Sequence, residues 1–325
     1  MTNNQSDVAL SEVMGFIMLL GLMFAAFALY TVYVVPVNGR EDEISQMNYV
    51  EGQFTDYKVM VDALWTSRLI NVDGVNPMYP VLNVTPMISS TTMKLGNGGN
   101  AQLGGMSLIL FKPIPSSGVL ALNTTGDTFN IETNSYNSTV NNGEFPINIS
   151  ALVYNSNNYY WIQQQYSYQL GGVFLAQDNG MVNRISPLIS ITNAANNSVV
   201  VTIVPVQVFG NGSVSGNGPV RVDTRQRIVP DYTINSYRNN QWVNLSITTA
   251  DNATAAAWLS VFKNIVSNEE INPSKYNITR AWNPSSKIST VYIYINGLPP
   301  NPLVSLYVQR AEFDVALSSV ATEST

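Results

Sequence analysis

The chain has 325 residues and carries only 11 % Asp, Glu, Lys and Arg, against about 25 % in an ordinary soluble protein. Its net charge of −6 with 15 basic residues argues against nucleic-acid binding, which needs a basic footprint. With no Cys and no His, it has no disulfide, no zinc–thiolate or histidine-ligated metal site, no Cys nucleophile and no Ser-His-Asp triad. Asparagine supplies 38 residues, so the polar surface is built from amides and hydroxyls rather than charges.

Residues 1–12 form a short polar segment whose only charges are Asp7 and Glu12. Val13–Val37 then contains no charged residue. At 1.5 Å per residue its helix is about 37 Å long, enough to cross a hydrocarbon core of about 30 Å with some tilt. We therefore expect a transmembrane helix over 13–38. Tyr30 and Tyr33 suit its far interface, and Pro36 and Gly39 predict a kink or an end. A basic n-region is missing and the apolar run is long, so a cleaved secretory signal is not expected.

The string ALSEVMGFIMLLGLMF at Ala9–Phe24 resembles the start of archaeal type IV pilin-like and flagellin-like surface proteins. That start is a polar leader, a small residue, a Ser-Glu-Val-hydrophobic-Gly-Phe stretch and a long apolar helix. The resemblance implies cleavage by a leader peptidase between Ala9 and Leu10. It implies assembly through the helix, with Glu12, Gly15 and Phe16 near the mature terminus, and engagement by pilus assembly machinery. Val8 stands where the family usually has Lys or Arg. Glu12 either meets the α-amino group of a neighbouring copy or sits at the interface, where the first helical turn favours a carboxylate.

Residues 39–71 read as an amphipathic stalk. Ile44, Met47, Val50, Phe54, Tyr57, Val61, Leu64 and Trp65 recur in steps of three and four. Asp42, Glu43, Glu51, Asp56, Lys58, Asp62 and Arg68 are expected mostly on the other faces. Asp73-Gly74 and Asn76-Pro77 are expected to end the helix.

Residues 72–325 switch to period two and read as a β-rich domain, sandwich-like or built of two stacked sheets. Expected strands are Met106–Phe111, Gly118–Asn123, Thr128–Glu132, Ile147–Tyr154, Tyr159–Gln169, Leu188–Thr192, Val199–Phe209, Val220–Arg227, Trp242–Thr248, Ile288–Asn296 and Leu303–Phe313. Six Asn-Gly pairs, at Asn97, Asn142, Asn179, Asn211, Asn217 and Asn296, suit type I′ hairpins. Phe209–Pro219 reads as an exposed loop, and Gly96–Gly105 is the best boundary between two lobes. One helix is expected at Asp251–Val266, capped by Asp251. A weak resemblance to the outer domain of the same archaeal proteins extends over GGVFLAQDNG at Gly171–Gly180 and the Ala-Trp helix.

Asn-x-Ser/Thr sequons follow the apolar run at Asn83, Asn123, Asn137, Asn148, Asn196, Asn211, Asn244, Asn252 and Asn277. As a group they favour a β-domain that lies outside and bears N-linked glycans, although Arg40 alone points the other way under the positive-inside rule. Tyr159, Tyr160 and Trp161 are core aromatics or, less simply, a sugar platform. Asp223, Asp231 and Asp251 read as turn, cap or solvated residues. No catalytic, cofactor or metal site is expected. The reading is a non-enzymatic, pilin-like filament subunit at the cell membrane or in an extracellular filament. The alternatives are an anchored ectodomain that binds a ligand, polysaccharide or protein without polymerising, and a tethered carboxylate hydrolase.

Overall fold

The computed structural model describes residues 4–72, 87–97, 112–134, 145–178, 180–194, 198–227, 234–297 and 303–319. It is mainly β with one long N-terminal helix, as the sequence leads one to expect. The helix comprises α1 (Asn4–Leu29), one π turn (Tyr30–Val34) and α2 (Val35–Val72). Pro36 accounts for the π turn. Its ring would collide with the preceding turn and its nitrogen donates no hydrogen bond, and a turn widened by one residue relieves both. Of the kink or end expected at Pro36 and Gly39, the end does not occur: the helix runs through both, with the π turn just before Pro36.

The helix changes partners along its length. Every side chain from Glu12 to Leu29 is exposed. From Val35 onward one stripe is buried: Glu43, Met47, Val50, Phe54, Tyr57, Val61 and Leu64. Steps of four and three alternate along it, so the seam repeats every 3.5 residues and stays on one face. The apolar stripe was legible in the sequence. The placement of charge is a correction, because Glu43 and Lys58 are buried instead of facing water. Asp73-Gly74 and Asn76-Pro77 lie outside the described residues.

The β part contains β1 (Ile88–Lys94), β2 (Ser117–Thr133), β3 (Ile147–Asn157), β4 (Gln165–Gln169), β5 (Gly172–Gln177) and β6 (Gly180–Ile185). There follow β7 (Ile189–Asn193), β8 (Val199–Ile203), β9 (Val206–Phe209), β10 (Gly212–Gly216), β11 (Pro219–Gln226) and β12 (Ile234–Asn240). β13 (Trp242–Thr249), α3 (Asn252–Asn268), a 3-10 turn (Pro273–Lys275), β14 (Tyr276–Asn283), β15 (Ile288–Asn296), β16 (Val304–Val308) and β17 (Ala311–Ser319) complete the described elements. They make three sheets. A nine-stranded sheet runs β14-β15-β13-β2-β3-β4-β5-β6 with β10 also on β2, and two four-stranded sheets run β1-β11-β17-β9 and β12-β16-β8-β7.

The large sheet separates two apolar cores. On β5, Val173 and Leu175 enter the core that holds α2, and Phe174 between them enters the core that holds α3. Residues at i and i+2 share a face of a strand and i+1 takes the other, so the two cores lie on opposite faces there. β3 serves both as well, with Ile147 and Ile149 on one side and Leu152 and Tyr154 on the other. The body therefore has two lobes, and they share the strands β3 and β5. Gly96–Gly105, the boundary expected from sequence, falls mostly outside the described residues.

Several expected strands are re-cut. Gly118–Asn123 and Thr128–Glu132 join into β2, whose pairing with β3 shifts register between Thr124 and Thr128. Val199–Phe209 breaks at Val204-Pro205 into β8 and β9, which belong to different sheets. Leu303–Phe313 breaks at Gln309-Arg310 in the same way, and β16 and β17 run parallel to β8 and β9. The two corners are bonded together: Gln309 N–H donates to Ile203 O (3.0 Å) and Ala311 N–H to Pro205 O (3.2 Å). Pro205 has no N–H to leave unpaired, so it suits the corner.

Tyr159–Gln169 keeps only Gln165–Gln169 as strand, because residues 158–164 turn aside to meet α2. Asn211-Gly212 and Asn217-Gly218 link strands that do not pair with each other, so they are not hairpins. The expected loop at Phe209–Pro219 contains β10, an exposed strand laid on β2. The type I′ geometry appears instead at Leu170-Gly171, where φ is +48° and +81° and Gln169 faces Gly172. Leu170 adopts that conformation with its side chain buried in the α3 core. The helix expected at Asp251–Val266 is α3, and the Asp251 carboxylate does cap it. Met106–Phe111 lies outside the described residues.

Candidate functional site

Two places on the molecule have more chemistry than packing requires: the apolar helix with its junction to the body, and a cleft at the start of α3. The helix is long and apolar enough to cross a membrane. Phe16, Met18, Leu22 and Phe24 expose more than 60 % of their surface, and apolar residues surround the helix on every side. A helix apolar all round is stable only when lipid or other apolar helices cover it.

Among the residues singled out by sequence, Ala9 and Leu10 lie within α1, in the part whose side chains are not described. Glu12 is exposed, Gly15 has open space where a Cβ would point, and Phe16 is 66 % exposed. None of the three touches the body, so a partner would find all of them free.

The junction begins at Val35, which is buried, and its centre is Glu43. The Glu43 carboxylate accepts three backbone N–H groups from one loop: Tyr159 (2.7 Å), Tyr160 (2.8 Å) and Trp161 (2.6 Å). Successive N–H groups converging on a carboxylate form an anion nest, and burial strengthens each bond. One turn below, Gly39 lies against the Tyr160 ring, where an added Cβ would come within 2.4 Å of a ring carbon. The Arg40 guanidinium stacks over Trp161 at 4.4 Å from the ring centroid. The Tyr160 hydroxyl accepts from Ile114 N–H at 3.2 Å and ties in the segment before β2.

Higher on the helix the contacts become core-like. Gln46 Nε2 donates to Lys94 O (3.0 Å), which joins α2 to β1. Phe54 packs on Tyr166 with centroids 5.9 Å apart, and Tyr57 meets Tyr168 edge to face at 5.2 Å. Thr224 Oγ1 donates to the Tyr57 hydroxyl at 3.2 Å. Burial pushes the phenols of Tyr57, Tyr154, Tyr166 and Tyr168 well above their usual range, so all four are neutral. Glu51 is bridged to Arg184 on β6 at 2.8 Å and accepts from the Tyr166 hydroxyl at 3.1 Å. The Arg184 hydrogen bond holds its carboxyl below the ordinary range.

The cleft, of about 600 Å³, lies between β5, β6 and the start of α3 and includes Gln177, Asp178, Met181, Asp251 and Asn252. Of its two carboxylates, Asp178 and Asp251, the latter is engaged as the helix cap, accepting from Thr254 N–H (2.7 Å), Thr254 Oγ1 (2.6 Å) and Ala253 N–H (3.3 Å). Burial opposes its charge, but these donors outweigh burial and keep its carboxyl below the usual value. Nearby Asp127 moves the other way, because burial raises it. A capped carboxylate is a poor general base, and no group of three His, Cys, Asp or Glu gathers among the described residues.

Of the sequons, Asn123, Asn148, Asn211, Asn252 and Asn277 are exposed. Asn244 is half-buried on β13, with Nδ2 donating to Glu132 at 3.2 Å. Asn252 accepts a hydrogen bond from Arg280 through Oδ1. Asn83, Asn137 and Asn196 lie outside the described residues, as does Asp231, whereas Asp223 is a surface partner of Arg221 at 2.7 Å. Of the aromatic triplet, Tyr159 is exposed and Tyr160 and Trp161 are half-buried against the stalk.

Sequence reasoning missed Glu43 as a junction residue. The available signal was its position four residues before Met47, on the seam, in a helix otherwise apolar along that line. Compared with protein-family models, with curated proteins and with solved structures, the chain matches none of them.

Proposed function

We propose that this chain is a structural subunit of the cell surface, with its apolar helix in the membrane before assembly and in the core of a type IV pilin-like filament after it. One observation carries the reading. A single helix buries one stripe in its own body from Val35 to Leu64, and from Glu12 to Leu29 every side chain is exposed. Packing those helices side by side removes their apolar surface from water and leaves the β-bodies as a coat. The polar, low-charge surface and the five exposed sequons suit a glycosylated exterior. The leader peptidase would act at Ala9–Leu10, and Glu12 would lie near the new amino terminus.

Electron microscopy of the material sheared from native cells tests this. Filaments that carry this chain as the main subunit, and that disappear in a Gly15→Leu, Phe16→Ala variant, are the expected result. The chain retained in the membrane fraction as single copies, with no filament, would leave the anchored ectodomain in its place. Peptide mapping of the same material adds a check on the body: Asn123, Asn148, Asn211 and Asn277 are expected to carry glycan and Asn244 to stay bare. Glycan on Asn244 would require its bond to Glu132 to open.

A further inference from the structure

We infer that the loop 158–162, with Ile114 beside it, is a membrane-seated foot: an aromatic and apolar pad that rests in the headgroup layer and sets how the body stands on the bilayer. The inference rests on reading the apolar helix as a membrane span and goes beyond it to a second contact surface.

The argument starts from height along a rigid rod. Val13–Val34 is a run of helix about 33 Å long, and a hydrocarbon core is about 30 Å thick. Nothing is left over as a spacer, because Val35 is already buried and Gly39 already carries the Tyr160 ring. Gly39 lies about 7 Å beyond Val34, and each headgroup layer is about 5–7 Å deep. The loop held at Gly39, Arg40 and Glu43 therefore meets the layer as soon as the helix is inserted.

The exposed chemistry fits that place. Tyr159 is 58 % exposed, Ile162 41 % and Ile114 53 %, on two segments joined through the Tyr160 hydroxyl. Tyr33 adds an exposed ring at the end of the span. Tyr and Trp collect at this depth because an apolar ring and a polar edge are both satisfied there. The three bonds to Glu43 and the close fit at Gly39 hold the pad to the helix, so its height does not drift. Charge does not direct it: Arg40 and Lys112 are offset by the exposed Glu41 and Asp42. The partner is thus the interfacial layer of a bilayer, with no demand for anionic lipid.

The chain contains no Cys, so single probe sites can be placed without background. Full-length protein with Tyr159→Cys, Phe24→Cys or Trp282→Cys is labelled with an environment-sensitive fluorophore and reconstituted in phosphatidylcholine vesicles. Spin-labelled lipid is added with the label either near the headgroup or deep in the chain. Position 24 should be quenched by the deep label, position 159 mainly by the shallow label, and position 282, exposed on β14 in the other lobe, by neither. Loss of quenching at 159 with quenching kept at 24 overturns the foot and leaves the span intact. Loss at both overturns the span itself. If position 159 escapes both lipids but self-quenches as protein density rises, the pad contacts another copy and the lipid assignment is wrong.

Discussion

The two halves of the long helix are both rich in apolar residues, yet they behave as different materials. From Glu12 to Leu29 apolar side chains point in every direction and none is buried. From Glu43 to Leu64 the buried residues keep to a seam that repeats every 3.5 residues, and exposed positions such as Asp42, Asn48 and Asp56 lie off it. Charge already separates the two: Val13–Val37 carries none, whereas the docked half interleaves its buried seam with exposed carboxylates such as Glu41, Asp42 and Asp56. The π turn at Tyr30–Val34 falls between the two regimes, beside the proline where the helix needs local slack.

The largest contrast comes from one substitution made twice. Phe54→Ala empties a fully buried site where the stalk packs on Tyr166 of β4 and should cost about 3–5 kcal/mol. Phe24→Ala, on the exposed half, should leave the unfolding of the body unchanged and weaken membrane retention or assembly. Denaturant melts of both variants in detergent, with a fractionation assay beside them, measure the two effects. Equal losses of stability would erase the distinction.

Glu43→Ala tests the joint between the regimes. It leaves three N–H groups without their acceptor and should cost about 2–4 kcal/mol. Glu43→Gln keeps one side-chain oxygen and should lose less. Limited proteolysis should then cut within 158–162 first, before the helix undocks.

Away from the joint, Asp251→Ala removes the cap of α3 and should cost about 1 kcal/mol, read as a lowered midpoint with an unchanged slope. Docking of the stalk should be unaffected, because α3 lies in the other core.

The smallest effect expected is pH dependence of stalk docking. Glu51 has its folded value lowered by Arg184, so its contribution is complete above the ordinary glutamate value of about 4.3 and fades as pH falls through the lowered one. Asp127 has the opposite sign: burial raises it, so its contribution is present below the ordinary aspartate value and is lost as pH rises through the raised one. Melts from pH 7 down to pH 3 should show a loss at the acid end that Arg184→Gln reduces. Both Glu51 and Arg184 are partly exposed, so solvent screens the pair and the change is modest.

Much of this division was legible in the chain. The uncharged run, the stalk stripe and the Asp251 cap are local patterns, and the structure bears out the stripe and the cap. Ile288–Asn296 alternates cleanly and is β15 residue for residue. What escaped was set by distant partners. Glu43 reads as a solvated charge until Tyr159, 116 residues away, brings its N–H. Val199–Phe209 reads as one strand because both cores ask for the same apolar residues, and nothing local except Pro205 marks the change of sheet. Asn-Gly at 211 and 217 reads as hairpin because the dipeptide favours the turn, whereas pairing depends on strands elsewhere. At the candidate site, Glu12, Gly15 and Phe16 are singled out by resemblance alone, and the junction at Glu43 came only from geometry.

The most direct test of the account is mass spectrometry of the native protein, intact and as N-terminal peptides. A mature terminus at Leu10, with added hexose on exposed sequons, is the expected result: a processed helix made for assembly beneath a glycosylated body. A native chain that still carries residues 1–9 ahead of Leu10 would contradict the filament and reduce the exposed half of the helix to an anchor.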